Sequence, residues 1–309
     1  GAGEPAVILC IGTTPAVQRV MVFDEVRIGG VQRAKRVIEA PAGKSVNVAR
    51  VLHALGRTVA CTGFVGGQRG RFLQQDLDRL GIAHEFVPVE PETRMCVTVI
   101  DQTAHTHTEL IEESRDVGRE AWHRLHVALQ HLVPRSRLVV MSGTLCPGGP
   151  VDFYARCTRL AVAAGIPCVV DATGPALLEA LAAGPTVVKP NRAELSATTG
   201  LDVQDGARRL LDLGARSVVV TLGAEGAMAV DGQGMWRIRG PQVQAVNTIG
   251  SGDALAAGLA AALQDGRPIA RAAALGVACG MANALTLVAG EVDAGQVRRL
   301  EQQIAVEPI

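Results

Sequence analysis

Three small residues, Gly250, Ser251 and Gly252, stand directly before an acid, Asp253, in the stretch "NTIGSGDALAAG" at 247–258. Side chains this small leave backbone N–H groups free to converge on one point. The Ala/Leu run that follows predicts a helix starting near Asp253, with its positive dipole end pointing the same way. Together these features make an anion hole suited to a phosphoryl group in transfer. An aspartate beside such a hole can accept the proton of an attacking hydroxyl. The plainer reading is a glycine turn with the aspartate capping a helix. The rest of the chain has to decide between the two.

Further polar residues gather at equivalent places. The stretches "LVVMSG" (138–143), "PCVVDATG" (167–174), "TVVKPN" (186–191) and "SVVVTLG" (217–223) read as buried strands. Each ends on polar or small residues: Ser142 with Thr144, Asp171, Lys189 with Asn191, and Thr221 with Gly223. In an open parallel sheet the carboxyl ends of the strands form one rim, where ligands bind. Other phosphate-binding motifs fail. "APAGKSVNVA" contains Gly43-Lys44-Ser45, but Ile38 stands where a Walker loop needs its first glycine. "CIGTTPAV" lacks the dinucleotide fingerprint, and Leu255 occupies the third glycine place after Gly250 and Gly252. His105 and His107 alternate in "AHTHTE" with no third ligand nearby, which predicts a solvated hairpin and not a metal site.

The elements that must position these residues follow from composition and pattern. The 309 residues suffice for one large α/β domain with a smaller appendage, and 48% apolar content supplies its core. Aromatics are only 3%, so that core is built of Ala, Val and Leu. The formal net charge is zero and no run of like charges occurs, which argues against a nucleic-acid or anionic-membrane partner. Seven cysteines without CxxC spacing predict buried thiols in a reducing cytoplasm, Cys146 in its loop included. The leading "GAGEPAVILCIG" has no basic segment and only a short apolar run, so neither a signal peptide nor a membrane span is expected.

"AVILCIG" (6–12) reads as a strand, and "SVNVARVLHALG" (45–56) as a helix with Val48, Leu52 and Leu55 on one face. "VDFYARCTRLAVAAG", "PALLEALAAG" and "VQDGARRLLDLG" read as helices between the later strands. Such alternation implies an α/β fold with a mostly parallel sheet and helices on both faces. Residues 13–37 and 87–113 are β-like and half polar, and they predict one small sheet over the strand-end rim. A small sheet needs its second face covered, so self-association is expected.

At this point the residues resemble a known family. "NTIGSGDALAAGLA" fits the C-terminal signature of the PfkB/ribokinase family of carbohydrate kinases at every position. "AGKSVNVARVLHALGRTVACTGFVG" is similar to its N-terminal signature, with Gly43, Asn47, Ala49, Gly56 and Gly66 in place. "KPNRAE" resembles the NxxE element and "TLGAEGA" the nucleotide loop. "TTPAVQRVMVFDEVRIGGVQRA", "TGFVGG", "ETR" and "THTEL" place the chain beside the 1-phosphofructokinase and tagatose-6-phosphate kinase branch.

The resemblance implies a ribokinase-like three-layer core (1–12, 38–86 and 114–309) with a β lid (13–37 and 87–113), often used for dimerisation. It implies Asp253 as general base and the amides of Gly250, Ser251 and Gly252 as the anion hole. Lys189, Thr221, Gly223 and Gly226 would contact ATP, while Asn191 and Glu194 would organise Mg2+ through water. Gln18, Gly43, Lys44 and Asn47 would meet the sugar, and Arg33 and Arg94, with Ser142 or Thr144, its phosphate. Gln18 stands where the branch has Asp, Ala42-Gly43-Lys44-Ser45 replaces Gly-Gly-Lys-Gly, and Glu109-Leu110-Ile111 replaces Glu-x-Asn. Sugar contacts are therefore altered while the phosphoryl-transfer residues are intact. The expectation is an ATP- and magnesium-dependent kinase of a phosphorylated ketohexose. The alternatives are a kinase of an unphosphorylated sugar or nucleoside, and a binding protein of the same fold without turnover.

Overall fold

A computed structural model describes residues 6–309. The start of the N-terminal segment, residues 1–5, lies outside the described residues. The chain opens with β1 (Ile8–Ile11), β2 (Ala16–Phe23) and β3 (Arg36–Ala42), then α1 (Lys44–Ala54), β4 (Val59–Val65), α2 (Gly67–Leu80) and β5 (Ala83–Pro88). It continues through β6 (Arg94–Asp101), β7 (Thr106–Ile111), α3 (Arg119–Leu132), β8 (Leu138–Ser142), α4 (Phe153–Ala163), β9 (Cys168–Asp171), α5 (Gly174–Leu181) and β10 (Val187–Val188). Then come α6 (Arg192–Thr199), α7 (Val203–Asp212), β11 (Ser217–Thr221), β12 (Ala227–Asp231) and β13 (Gly234–Arg239). The last elements are α8 (Ser251–Gln264), α9 (Ile269–Ala284), α10 (Ala294–Glu301) and β14 (Ala305–Pro308).

The large sheet has ten strands in the order β14-β13-β12-β11-β10-β9-β8-β1-β4-β5. From β5 to β11 every neighbour pair is parallel; β12 to β14 continue it antiparallel. Continuous apolar strands predict burial on both faces, and alternation sorts their residues into two cores. On β1, Ile8 and Cys10 enter one core while Leu9 and Ile11 enter the other. On β8, Leu138 and Val140 part from Val139 and Met141 in the same way. Helices α1, α2, α8, α9 and α10 cover the first core, and α3 to α7 the second. This is the three-layer α/β arrangement expected, with the rim of strand ends on one edge: Ser142 pairs with Asp171, and Asn191 bridges to Thr221.

The antiparallel edge is an addition to the sequence expectation. Asp231 closes the β12–β13 hairpin, its Oδ1 accepting from Gln233 N at 2.7 Å and Gly234 N at 3.2 Å. All seven cysteines are free and buried. Cys146, expected to be inert, is 3% exposed and donates its S–H to the Arg115 carbonyl, and burial pushes the thiol up to about 11.

The second sheet has four strands in the order β3-β2-β6-β7 and draws on both segments expected for it. Its bounds differ from the expected ones. β3 runs past residue 37, because Ala42 must pair with Ala16 before Gly43 turns the chain into α1. Residues 87–88 close β5 of the large sheet.

Candidate active site

The site is built around the start of α8. Residues 248–251 form a tight turn, closed by Ser251 N–H donating to the Thr248 carbonyl at 3.1 Å. Gly250 takes φ 83° and ψ −2°, the third position of a type II turn, which favours glycine. A Cβ there would also lie 2.7 Å from Ala289 Cβ. The turn engages the Ser251 amide, one of the three expected to form an anion hole. Among the described residues, the N–H groups of Gly250, Gly252 and Asp253 have no partner in the chain.

Asp253 does not cap its own helix; Gly250 is the cap residue and no side-chain cap is made. Instead its Oδ2 accepts from Asn47 Nδ2 at 2.9 Å. Asn47 comes from α1, whose start is set by Gly43 at φ 90°, where a Cβ would meet Pro15 Cα at 2.7 Å. Burial pushes the Asp253 carboxyl up to about 6, against the pull of Lys44. An aspartate titrating there is unprotonated at neutral pH yet basic enough to take a proton.

Two cations share one buried acid beside it. Lys189 Nζ lies 3.2 Å and Lys44 Nζ 3.7 Å from Asp171 Oδ2, and Asp171 is 1% exposed. Asp171 holds the Lys44 ammonium above its ordinary value. A Cβ on Gly252 would come within 3.7 Å of Lys189 Nζ, so this lysine lies beside Gly252. Asp171 was visible in the sequence only as one more polar strand end; its role as the common anchor of two lysines needed the fold.

A cavity of about 390 Å3 joins these groups to the small sheet. Its floor carries Gly43, Lys44, Asn47 and Thr144 together with Asp253. Lys189, Asn191, Glu194 and Thr221 line one end, and Gln18, Arg94, Cys96, Thr98, Glu109 and Ile111 form the lid wall. The last four alternate with residues of the opposite face on paired strands, which is why they share this one.

Asn191 and Glu194 are brought to the cavity by a reciprocal cap of α6. Glu194 N–H donates to Asn191 Oδ1, and Asn191 N–H donates to Glu194 Oε2, both at 2.8 Å. Among the described residues, the other Glu194 oxygen has no hydrogen-bond partner. No cluster of three or more His, Cys, Asp or Glu suited to a bare metal occurs among the described residues. A single free carboxylate oxygen suits an ion that keeps its water and is held mainly by phosphates, the usual habit of Mg2+.

Five expected site residues do not face the cavity. Arg33 lies exposed in the loop between β2 and β3, whose Ile28 is 100% exposed, and does not line the cavity that Arg94 lines. Ser142 is buried with an unpartnered Oγ below the rim. Gly223 and Gly226 shape the turn after β11; a Cβ on Gly226 would meet the Ile238 carbonyl at 2.0 Å, so packing demands that glycine. Ser251 accepts from Asn283 Nδ2 at 3.3 Å. Gln18 does line the cavity, but its amide is spent on Ala289 backbone. Nor is the hairpin only solvated, because His107 Nε2 lies 2.9 Å from Thr248 Oγ1. Asn283, Ala289 and the Thr98–Glu109 wall were missed in the sequence, although a lone Asn in the apolar α9 is a signal that it has a partner.

The fold agrees with comparisons to known proteins. The model of the family described as "pfkB family carbohydrate kinase" matches residues 6–291. A putative phosphofructokinase from Staphylococcus aureus is 27% identical, with 98% of this chain and 99% of that one covered and a TM-score of 0.82. A possible 1-phosphofructokinase from Thermotoga maritima is 25% identical over 98% and 99% of the two chains, with a TM-score of 0.89. The phosphofructokinase-2 of Escherichia coli in complex with fructose-6-phosphate is 25% identical over 96% and 98%, with a TM-score of 0.85.

Proposed function

Because this chain belongs to the pfkB family of carbohydrate kinases, we propose that it transfers the γ-phosphoryl group of ATP to a hydroxyl of a phosphorylated ketohexose, with Asp253 as general base. The observation that carries this reading is the Asp253 carboxylate, held by Asn47 beside three unpartnered amides and two lysines in one cavity. Asp253 takes the proton of the attacking hydroxyl. The amides of Gly250, Gly252 and Asp253 receive the charge that builds on the moving phosphoryl group, and Lys189 and Lys44 add positive charge beside it. Mg2+ would neutralise phosphate charge when bound, held through water at Glu194 and Asn191.

Arg94 is the acceptor-phosphate residue of this reading. Its Nε and one terminal nitrogen donate to the Thr14 carbonyl at 3.2 and 3.0 Å, which leaves the other terminal nitrogen free. The similarity to a putative phosphofructokinase and to one holding fructose-6-phosphate supports a sugar phosphate. A second reading has its own support. Glu109 faces the same cavity, its carboxyl raised by burial, and Arg33 is absent from it. A single guanidinium near a carboxylate also suits a neutral sugar or nucleoside. The test compares kcat/KM for fructose 1-phosphate, fructose 6-phosphate and tagatose 6-phosphate with that for fructose and ribose. A parent sugar equal to or better than its phosphate overturns the first reading. We further assign the chain to a reducing compartment, from its free thiols, and to a homodimer formed through the lid.

A further inference from the structure

Two contacts tie the lid to the turn before α8 and to the segment packed against it. On β7 it is His107 against Thr248. On β2 it is Gln18, 4% exposed, which spends both ends of its amide on one residue. Its Nε2 donates to the Ala289 carbonyl at 2.8 Å, and its Oε1 accepts from Ala289 N–H at 3.2 Å. The same carbonyl accepts from Arg50 at 2.8 Å, through a nitrogen that also donates to Pro41 of β3 at 3.3 Å. Ala289 abuts Gly250, whose missing Cβ would sit 2.7 Å from the Ala289 methyl. The next amide, Gly290 N–H, donates to Asn283 Oδ1 at 2.9 Å, and Asn283 Nδ2 donates to the Ile249 carbonyl at 2.9 Å. The path from the lid to the turn is therefore one strand residue, one loop residue and a direct packing contact.

We propose that Gln18 is a positioning residue: by holding both backbone groups of Ala289 it seats the lid on the 285–291 segment and fixes the wall against which Gly250 packs. Lid placement and the geometry of the anion hole are thereby coupled. Gln18 acts through Ala289 and not as a ligand of the acceptor. An aspartate here is shorter and only accepts, so it cannot hold the Ala289 carbonyl. The proposal rests on the turn being the site of phosphoryl transfer, as above.

The test uses Gln18→Ala and Gln18→Met, the latter keeping length and volume so that the lid core stays filled. Hydrogen exchange of the peptide spanning 285–291, measured without acceptor, is expected to speed up by about fivefold or more in both variants. With ATP and either fructose 1-phosphate or fructose 6-phosphate, kcat is expected to fall by about tenfold or more while acceptor KM stays within about threefold. Unchanged exchange in both variants overturns the proposal. So does a tenfold rise in acceptor KM with kcat preserved, which makes Gln18 a ligand. If the parent protein turns over neither sugar phosphate, that result counts against the proposed acceptor, and the exchange measurement still decides the latch.

Discussion

Asp253 is costly to its own fold, and that is informative. A carboxyl raised to about 6 by burial binds a proton more tightly folded than unfolded. Its contribution to stability is present below the unfolded value and is lost as pH rises through about 6. Asp253→Asn is thus expected to raise Tm at pH 7.5 while turnover falls by about 10² or more. A Tm unchanged or lowered, or turnover mostly kept, counts against a buried base. The acidic limb of kcat/KM is expected near pH 6. Lys44 pulls that value down, so Lys44→Met is expected to move the limb to higher pH; a limb that stays put removes Lys44 from the electrostatics of Asp253. Arg94 makes a different claim. Losing a charge-assisted bond to a phosphate is expected to raise acceptor KM by about tenfold or more in Arg94→Ala, with ATP KM unmoved. Equal effects on fructose and its phosphates would reduce Arg94 to an anchor of the Thr14 carbonyl.

In the proposed function, the same two side chains at the start of α6 serve a helix cap and a hydrated cation. Asn191 and Glu194 cap the helix reciprocally, and both line the cavity end where the proposal places a hydrated cation. The jobs separate by substitution. Glu194→Gln keeps an oxygen for the Asn191 N–H, so Tm is expected to hold, while the rate is expected to need more magnesium. Glu194→Ala loses the cap as well, worth about 1 kcal/mol. A normal magnesium titration in Glu194→Gln would leave only the cap. These motifs were readable in the sequence because they are local: Asn191 and Glu194 lie within one turn, and Gly250 to Asp253 in four consecutive residues. The parallel core was readable because strands covered on both faces are unbroken apolar runs. The lid residues were not. Where Gln18 points depends on Ala289, 271 positions away, and on the register of β2. Arg33 and Arg94 look equivalent in sequence, yet one sits in a β strand over the cavity and the other in a loop beyond the sheet edge.

The two sheets differ in how they are finished. The large one is covered on both faces by helices within the chain, and no described helix is long and apolar enough to cross a membrane. The lid is finished on one face only. Residues paired across it place Val37, Met21 and Val99 in one row on the face away from the cavity, with Val97 and Leu110 in the next. α2 packs against β2 and β3. Val37 stays 52% and Leu110 58% exposed, with Ile28 and Val31 of the β2–β3 loop exposed beyond them. Apolar residues grouped on an open sheet face are stabilised by a partner, at about 25 cal/mol per Å2 removed from water. The Arg19–Glu39 pair on the same face gives it a polar point for orientation. A second lid is the simplest cover, since it presents the same surface to itself. Sedimentation at micromolar concentration is expected to show a dimer. Leu110→Glu places a charge in the row and is expected to shift the protein to monomer, with Tm then rising less with concentration than in the parent. A monomeric parent, or a dimer untouched by Leu110→Glu, rules out this face as the dimer interface. Because Glu109 and Ile111 flank Leu110 and face the cavity, acceptor KM is expected to rise along with dissociation. An acceptor KM equal in monomer and dimer would mean that each lid closes its own site without help from its neighbour.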